Sequence, residues 1–193
     1  MRRIVVMGPP GSGKSRLARQ LGERLGLPVF HLDRFYWRPG WVEAPTVEFR
    51  AEVERLAALP GWVIDGNYTG TLEMRLRRAD AVVFLDVPSS LSLLRVLRRC
   101  LQGYGTVRAD VAPGCAERLD PGFLLFTWRW NHRQRARNLA MLEGFRGPVT
   151  VLRGRGAVRN YLAGLRRSAG EGGVTGADAG AARPGEWTTG GAG

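Results

Sequence analysis

Short apolar runs alternate with longer amphipathic stretches along this chain. Ile4-Val5-Val6-Met7, Pro28-Val29-Phe30-His31-Leu32, Trp62-Val63-Ile64, Ala81 to Val87 and Pro148 to Leu152 are compact runs bounded by charge, glycine or proline. Such runs fit strands buried on both faces of a parallel sheet. Between them the apolar spacing changes to three and four. Leu17, Ala18, Leu21 and Leu25 predict a helix over 14–26 that stops at Gly26. Val47, Phe49, Val53, Leu56 and Leu59 predict another over 46–59, with Thr46 as its cap. A short helix over 72–78 follows, then one carrying Leu91, Leu94 and Leu97 behind Ser89 and Ser90 as caps. A long helix over 123–145 and a closing one over 157–165 complete the pattern. Strands alternating with helices predict an α/β fold, a parallel sheet flanked by helices on both faces. Ligands of such sheets bind beyond the carboxyl ends of the strands. Asp33 and Asp65 fall at two of those ends.

Two stretches break the alternation. Residues 103–122 mix glycine, proline and charge and read as a mobile insertion. Residues 168–193 are glycine, alanine, threonine and scattered charge, which reads as a disordered tail. The expected organisation is one domain over 1–167 with that tail behind it.

The first apolar run leads into Gly8-Pro9-Pro10-Gly11-Ser12-Gly13-Lys14-Ser15, which matches the phosphate-binding P-loop pattern G-x-x-x-x-G-K-[ST]. A strand before it and a helix after it are the context the motif requires. Gly11 and Gly13 let the backbone curl with its N–H groups inward, at the positive end of a helix. The expected cofactor-binding set is Gly8, Pro9, Pro10, Gly11, Ser12, Gly13, Lys14, Ser15 and Arg16. Lys14 should reach the β- and γ-phosphates of ATP, and the Ser15 hydroxyl should hold Mg²⁺. Lys14 is the only lysine in the chain, where every other strong base is arginine.

Composition adds limits. The 193 residues carry a formal net charge of +12, which suits polyanions: nucleotides, nucleic acids or acidic membranes. Cys100 and Cys115 form no C-x-x-C and read as free thiols in a reducing compartment. Neither a signal peptide nor an apolar run of membrane-spanning length is visible, so a cytoplasmic protein is expected.

P-loops serve several classes. The chain has no N-K-x-D for guanine and no L-S-G-G-Q, and it is short for a helicase or motor core. What remains pairs a P-loop with an arginine-bearing lid, here about residues 100–137: a nucleoside-monophosphate-kinase-like P-loop NTPase. The loop itself resembles the adenylate-kinase form. His31-Leu32-Asp33, Trp37-Arg38-Pro39-Gly40-Trp41, Ile64-Asp65-Gly66-Asn67-Tyr68 and Phe84-Leu85-Asp86-Val87-Pro88 together resemble the bacterial DNA topology modulation proteins, adenylate-kinase-related P-loop proteins. The resemblance spans roughly 3–165. It implies phosphoryl transfer and names no acceptor.

Asp65 ends an apolar strand, where it would belong to the Mg²⁺ shell or cap the next turn. Asp33 would position an acceptor hydroxyl, or pair with Arg34 or Arg38. Tyr36, Trp37, Trp41 and Tyr68 would clamp a flat acceptor, or pack the 46–59 helix on the sheet. Arg95 and Arg99, and Arg133 and Arg137, are pairs four apart and are the candidate catalytic lid arginines; Arg98 and Arg135 point elsewhere. His31, His132, Trp128 and Trp130 read as structural, and Arg153 to Gly156 would border the adenine. The reading is an ATP·Mg-dependent kinase, monomer or dimer, of a small, nucleotide-like acceptor. Its rival is a nucleic-acid-binding protein that uses ATP as a regulatory ligand.

Overall fold

In the computed structural model, residues 1–170 are described. Five parallel strands form the sheet: β1 (Arg3–Met7), β2 (Val29–His31), β5 (Trp62–Asp65), β6 (Ala81–Leu85) and β7 (Val149–Leu152), in the order β2-β5-β1-β6-β7. The chain fills one side of β1 with β2 and β5, then crosses to the other with β6 and β7. The loop after β1 therefore opens at the crevice where the winding reverses, the usual ligand position in such sheets.

The runs lack polar alternation because both faces are covered. Val5, Met7, Ile64, Val82 and Phe84 face a core built with Phe49, Val53 and Leu56 of α3 (Thr46–Ala57). Ile4, Val6, Val63, Val83 and Leu85 face Leu17, Ala18 and Leu21 of α1 (Lys14–Leu25) and Leu162 of α8 (Gly154–Gly170). Gly26 ends α1 at φ 63°, as its place in the pattern predicts.

Several boundaries differ from the sequence expectation. Pro45 and Pro88, not Thr46 and Ser89, are the residues before α3 and α5 (Ser89–Gln102), and neither helix has a side-chain cap. The aromatic segment is a single turn, α2 (Asp33–Tyr36), followed by a hairpin of β3 (Trp37–Arg38) and β4 (Val42–Glu43). The long helix is three pieces: α6 (Pro121–Trp130), a π-helical turn (Asn131–Arg135) and α7 (Ala136–Glu143). Asp120 caps α6 by accepting from the Phe123 N–H. The closing helix runs to Gly170, so the expected start of the tail at 168 falls inside it, and residues 171–193 lie outside the described residues.

Residues 103–120 are ordered by contacts the composition does not reveal. Isolated bridges join Tyr104 to Glu117 and Val107 to Ala116. Val111, Ala112 and Cys115 are buried against Trp37 and Trp41 of the hairpin. Gly40 N–H donates to the Gly114 carbonyl at 3.0 Å, and Trp41 Nε1–H to the Ala116 carbonyl at 2.8 Å. The insertion is thus fastened down onto the hairpin. No helix among the described residues is long and apolar enough to cross a membrane.

Candidate active site

A cleft of about 900 Å³ opens beyond the carboxyl ends of the strands, between the P-loop, the hairpin and the insertion. Pro10, Gly11, Gly13, Lys14, Ser15 and Arg16 line it; Gly8, Pro9 and Ser12 are buried beneath. Gly8 is required on two counts: its φ is 142°, and a Cβ there would lie 2.5 Å from the Leu85 carbonyl oxygen. Gly13 has open space around it but sits at φ 98° as the residue before α1, so its need is conformational. Asn67 clamps the loop from the end of β5. Its Oδ1 accepts from Gly8 N–H at 3.0 Å, and its Nδ2 donates to the Gly8 carbonyl at 2.7 Å.

Lys14 Nζ donates to the Pro9 carbonyl at 2.9 Å. Burial lowers its pKa, opposed in part by the charges of Asp65 and Asp33. Asp33 faces it across the cleft. Burial raises the Asp33 carboxyl above the usual range, while the Tyr68 hydroxyl, donating to it at 2.6 Å, pulls the other way. Asp33 pairs with neither Arg34 nor Arg38; Arg38 is bound to Glu48. Asp65 is buried at the end of β5, its Oδ1 2.6 Å from His31 Nδ1. His31 thus belongs to the site: it holds the acid and lines the cleft. Nothing local in the sequence marks this, because the contact crosses from β2 to β5.

The loop after Asp65 is held by Arg75, a residue sequence reasoning missed. Its buried guanidinium donates to the carbonyls of Gly66 at 2.9 Å and Tyr68 at 3.0 Å. Burial lowers its pKa to about 10.

The four candidate arginines separate. Arg95 and Arg99 line the cleft. Arg95 reaches the Gly11 carbonyl at 3.5 Å. Arg99 lies against the Phe123 ring and is bonded to the buried Glu117. Arg133 and Arg137 are exposed and lie outside the cleft lining. The spacing of four keeps the two together, but the face turned to the cleft carries Trp130, Gln134 and Asn138 instead. Arg135 instead grips Asp86 with two bonds of 2.9 Å, and Arg153 binds the same carboxylate at 3.1 Å.

The insertion contributes what the sequence did not signal. Arg108 is bonded to Glu117 and donates to both oxygens of Asp110, at 3.0 and 2.8 Å. Asp110 is itself buried and lines the cleft together with Ser15 of the P-loop. Burial pushes its carboxyl up, but the Arg108 charge and the Ser15 hydroxyl bring it below the usual range. Only the fold of the insertion brings these groups to residues so distant in sequence.

The aromatic residues do both things expected of them. Tyr36 contacts Phe49 of α3 at 5.1 Å and Tyr68 at 4.6 Å, and Trp37 meets Trp41 at 5.5 Å. All except Phe49 also line the cleft. Burial, with a bond to Glu43, pushes the Tyr36 hydroxyl up to about 12. Trp130 is buried in the core, but Trp128 is 48% exposed, against the expectation that it packs.

The donors suit one kind of cation. Among the described residues no three His, Cys, Asp or Glu side chains group as a metal cage. A serine hydroxyl and one buried carboxylate beside a phosphate loop fit Mg²⁺, which keeps most of its water and is shared with substrate phosphates.

No family model matches this chain. Over 108 residues it is 32% identical to adenylate kinase of Mycobacterium leprae, in strains Br4923 and TN alike, covering 54% of this chain and 58% of the relative. The chain thus spans about 58% of the length of those curated relatives. Among solved structures, shikimate kinase from Acinetobacter baumannii in complex with shikimate superposes with a TM-score of 0.56 at 20% identity, over 88% of this chain and 93% of that one. A gluconokinase from Sinorhizobium meliloti 1021 does so with 0.53 at 22% identity, over 88% and 94%. At these identities the likeness is one of fold: the parallel five-stranded sheet flanked by helices is shared with these two kinases.

Proposed function

We propose that this protein transfers the γ-phosphoryl group of ATP·Mg to a hydroxyl of a small-molecule acceptor. The observation that carries the reading is the arrangement of Lys14, Ser15 and Asp33 around one cleft, with Asp65 behind them on β5. The kinase fold of its structural neighbours and the partial likeness to adenylate kinase support it.

The N–H groups of the P-loop, at the start of α1, would bind the β-phosphate, with Lys14 bridging toward the γ-phosphate. Ser15 and Asp65 would hold Mg²⁺, which would supply charge neutralisation to the phosphates when bound. Asp33, fixed by Tyr68, would accept the acceptor's hydroxyl proton. Arg95 and Arg99 would meet the charge spread over the transferred group. The insertion, lying over the cleft, would exclude water, so that phosphate goes to the acceptor.

A nucleotide-like acceptor would lie between the Tyr36–Trp37–Trp41 wall and Phe123. The narrower resemblance to DNA topology modulation proteins rests on the sequence motifs, and the nucleic-acid reading rests on that resemblance and net charge. The test is ADP release from ATP·Mg, screened over nucleoside monophosphates, nucleosides, sugars and hydroxy acids, with Lys14→Ala as control. Acceptor-dependent release that Lys14→Ala abolishes supports the kinase. Slow, acceptor-independent hydrolysis beside salt-sensitive DNA binding would overturn it.

A further inference from the structure

We propose that Asp110 is an internal stand-in for substrate phosphate: it holds Arg108 in the cleft beside the P-loop, and an incoming triphosphate must displace it. The inference rests on the phosphate-binding reading of the P-loop.

The insertion is closed over the cleft by contacts of its own. Val111 and Ala112, directly after Asp110, are buried with Cys115 against Trp37 and Trp41. That packing seats the Asp110 carboxylate among the groups a phosphate would use. The Arg108 guanidinium donates to both of its oxygens, and Asp110 lines one cleft with Lys14, Ser15 and His31.

The charges fit an exchange of anions. Arg99 and Arg108 share the buried Glu117 carboxylate, and Arg108 alone also binds Asp110. With Asp110 in place, two arginines face two carboxylates. With Asp110 withdrawn, Glu117 still holds both guanidinium groups beside Lys14, and one positive charge is left over. A phosphate oxygen placed there restores the balance. Glu117 therefore positions the arginines, and Asp110 competes with the ligand for one of them.

A competing internal anion lowers the apparent affinity by the fraction of molecules in which it is seated. If about nine molecules in ten are so held, freeing the site tightens binding about tenfold. The probes are ADP and inorganic tripolyphosphate, titrated calorimetrically with and without Mg²⁺ into the full chain. The variants are Asp110→Asn and Asp110→Ser, each also combined with Lys14→Ala, with melting curves to verify folding. Tighter binding of both probes by both Asp110 variants, lost on adding Lys14→Ala, is expected. Unchanged affinity in folded variants that still depend on Lys14 would overturn the stand-in role and leave the P-loop reading intact. Weaker binding confined to the Mg²⁺ arm would overturn it too, by putting Asp110 in the metal shell. Binding that ignores Lys14, or no binding by any variant, would remove the P-loop reading and this one with it.

Discussion

His31 and Asp65 are register partners on adjacent parallel strands, and their side chains meet there, Nδ1 to Oδ1, at 2.6 Å. The pair fixes the direction of a buried carboxylate at the mouth of the cleft. His31→Ala should leave that carboxylate short of a partner and cost ~1–3 kcal/mol of stability. His31→Gln, which can still donate, should recover part of the loss. Urea unfolding of the three proteins checks this; equal midpoints would count against a tie between the two groups.

Lys14 should be needed for binding and costly for stability. Its removal should weaken ATP binding by roughly 10- to 150-fold, the worth of a charge-assisted hydrogen bond. Burial holds its folded pKa below the 10.5 of an ordinary lysine, so the unfolded chain binds the proton more tightly. Stability should therefore rise with pH through the window from the lowered value up to about 10.5. Lys14→Met removes the titration, so it should be more stable than the wild type at neutral pH, with the gap closing as pH rises. Melting temperature against pH for both proteins is the measurement.

Asp33 and Tyr68 give a prediction with opposite-signed parts. Burial raises the Asp33 pKa, and the Tyr68 hydrogen bond restrains that rise. A base with a raised pKa loses activity on acidification at a higher pH than a free aspartate would. Tyr68→Phe should move this acidic limb of kcat/KM higher still, while Asp33→Asn should lower kcat by about 10²- to 10⁴-fold. A limb that stays put in Tyr68→Phe would rule out Asp33 as the titrating base.

Asn67→Asp replaces the donor to the Gly8 carbonyl with an oxygen that repels it. The loss should be about 1–3 kcal/mol of stability, with nucleotide binding weakened in parallel because the loop loses its clamp. Asn67→Ser, which keeps one donor, should fall between. Thermal melts paired with nucleotide titration test both halves.

Cys100 and Cys115 are free and buried, Cys115 within the small core under Trp41. A thiol reagent should modify Cys115 only as fast as the insertion lifts from the hairpin. Trp41→Ala, which removes part of that core and the bond to Ala116, should speed the reaction several-fold. No change on that substitution would mean the thiol is reached by another route.

Where residues act on their neighbours in the chain, the sequence was informative. The P-loop, the Gly26 stop and the five strands depend on local spacing, and each stands within a residue or two of its expected place. Contacts across the fold were not legible. The partners in His31–Asp65 stand on different strands, and Asp110 shares the cleft with Ser15 only because the insertion folds back. Arg75 looks like any surface arginine of a short helix until the carbonyls of Gly66 and Tyr68 surround it. The hairpin strands are two residues each, too short to show alternation. Spacing shows that Arg133 and Arg137 share a helix face but not which face meets the cleft, and that face belongs to Trp130, Gln134 and Asn138.

The insertion and the hairpin are stitched together at Gly40–Gly114, Arg38–Cys115 and Trp41–Ala116, so the floor of the acceptor side and the cover of the phosphate side form one piece. Under the proposed reaction, both substrates and both products then share a single door. Turnover would be paced by its opening: kcat should fall with solvent viscosity and rise when the stitches are weakened, at the expense of phosphate lost to water.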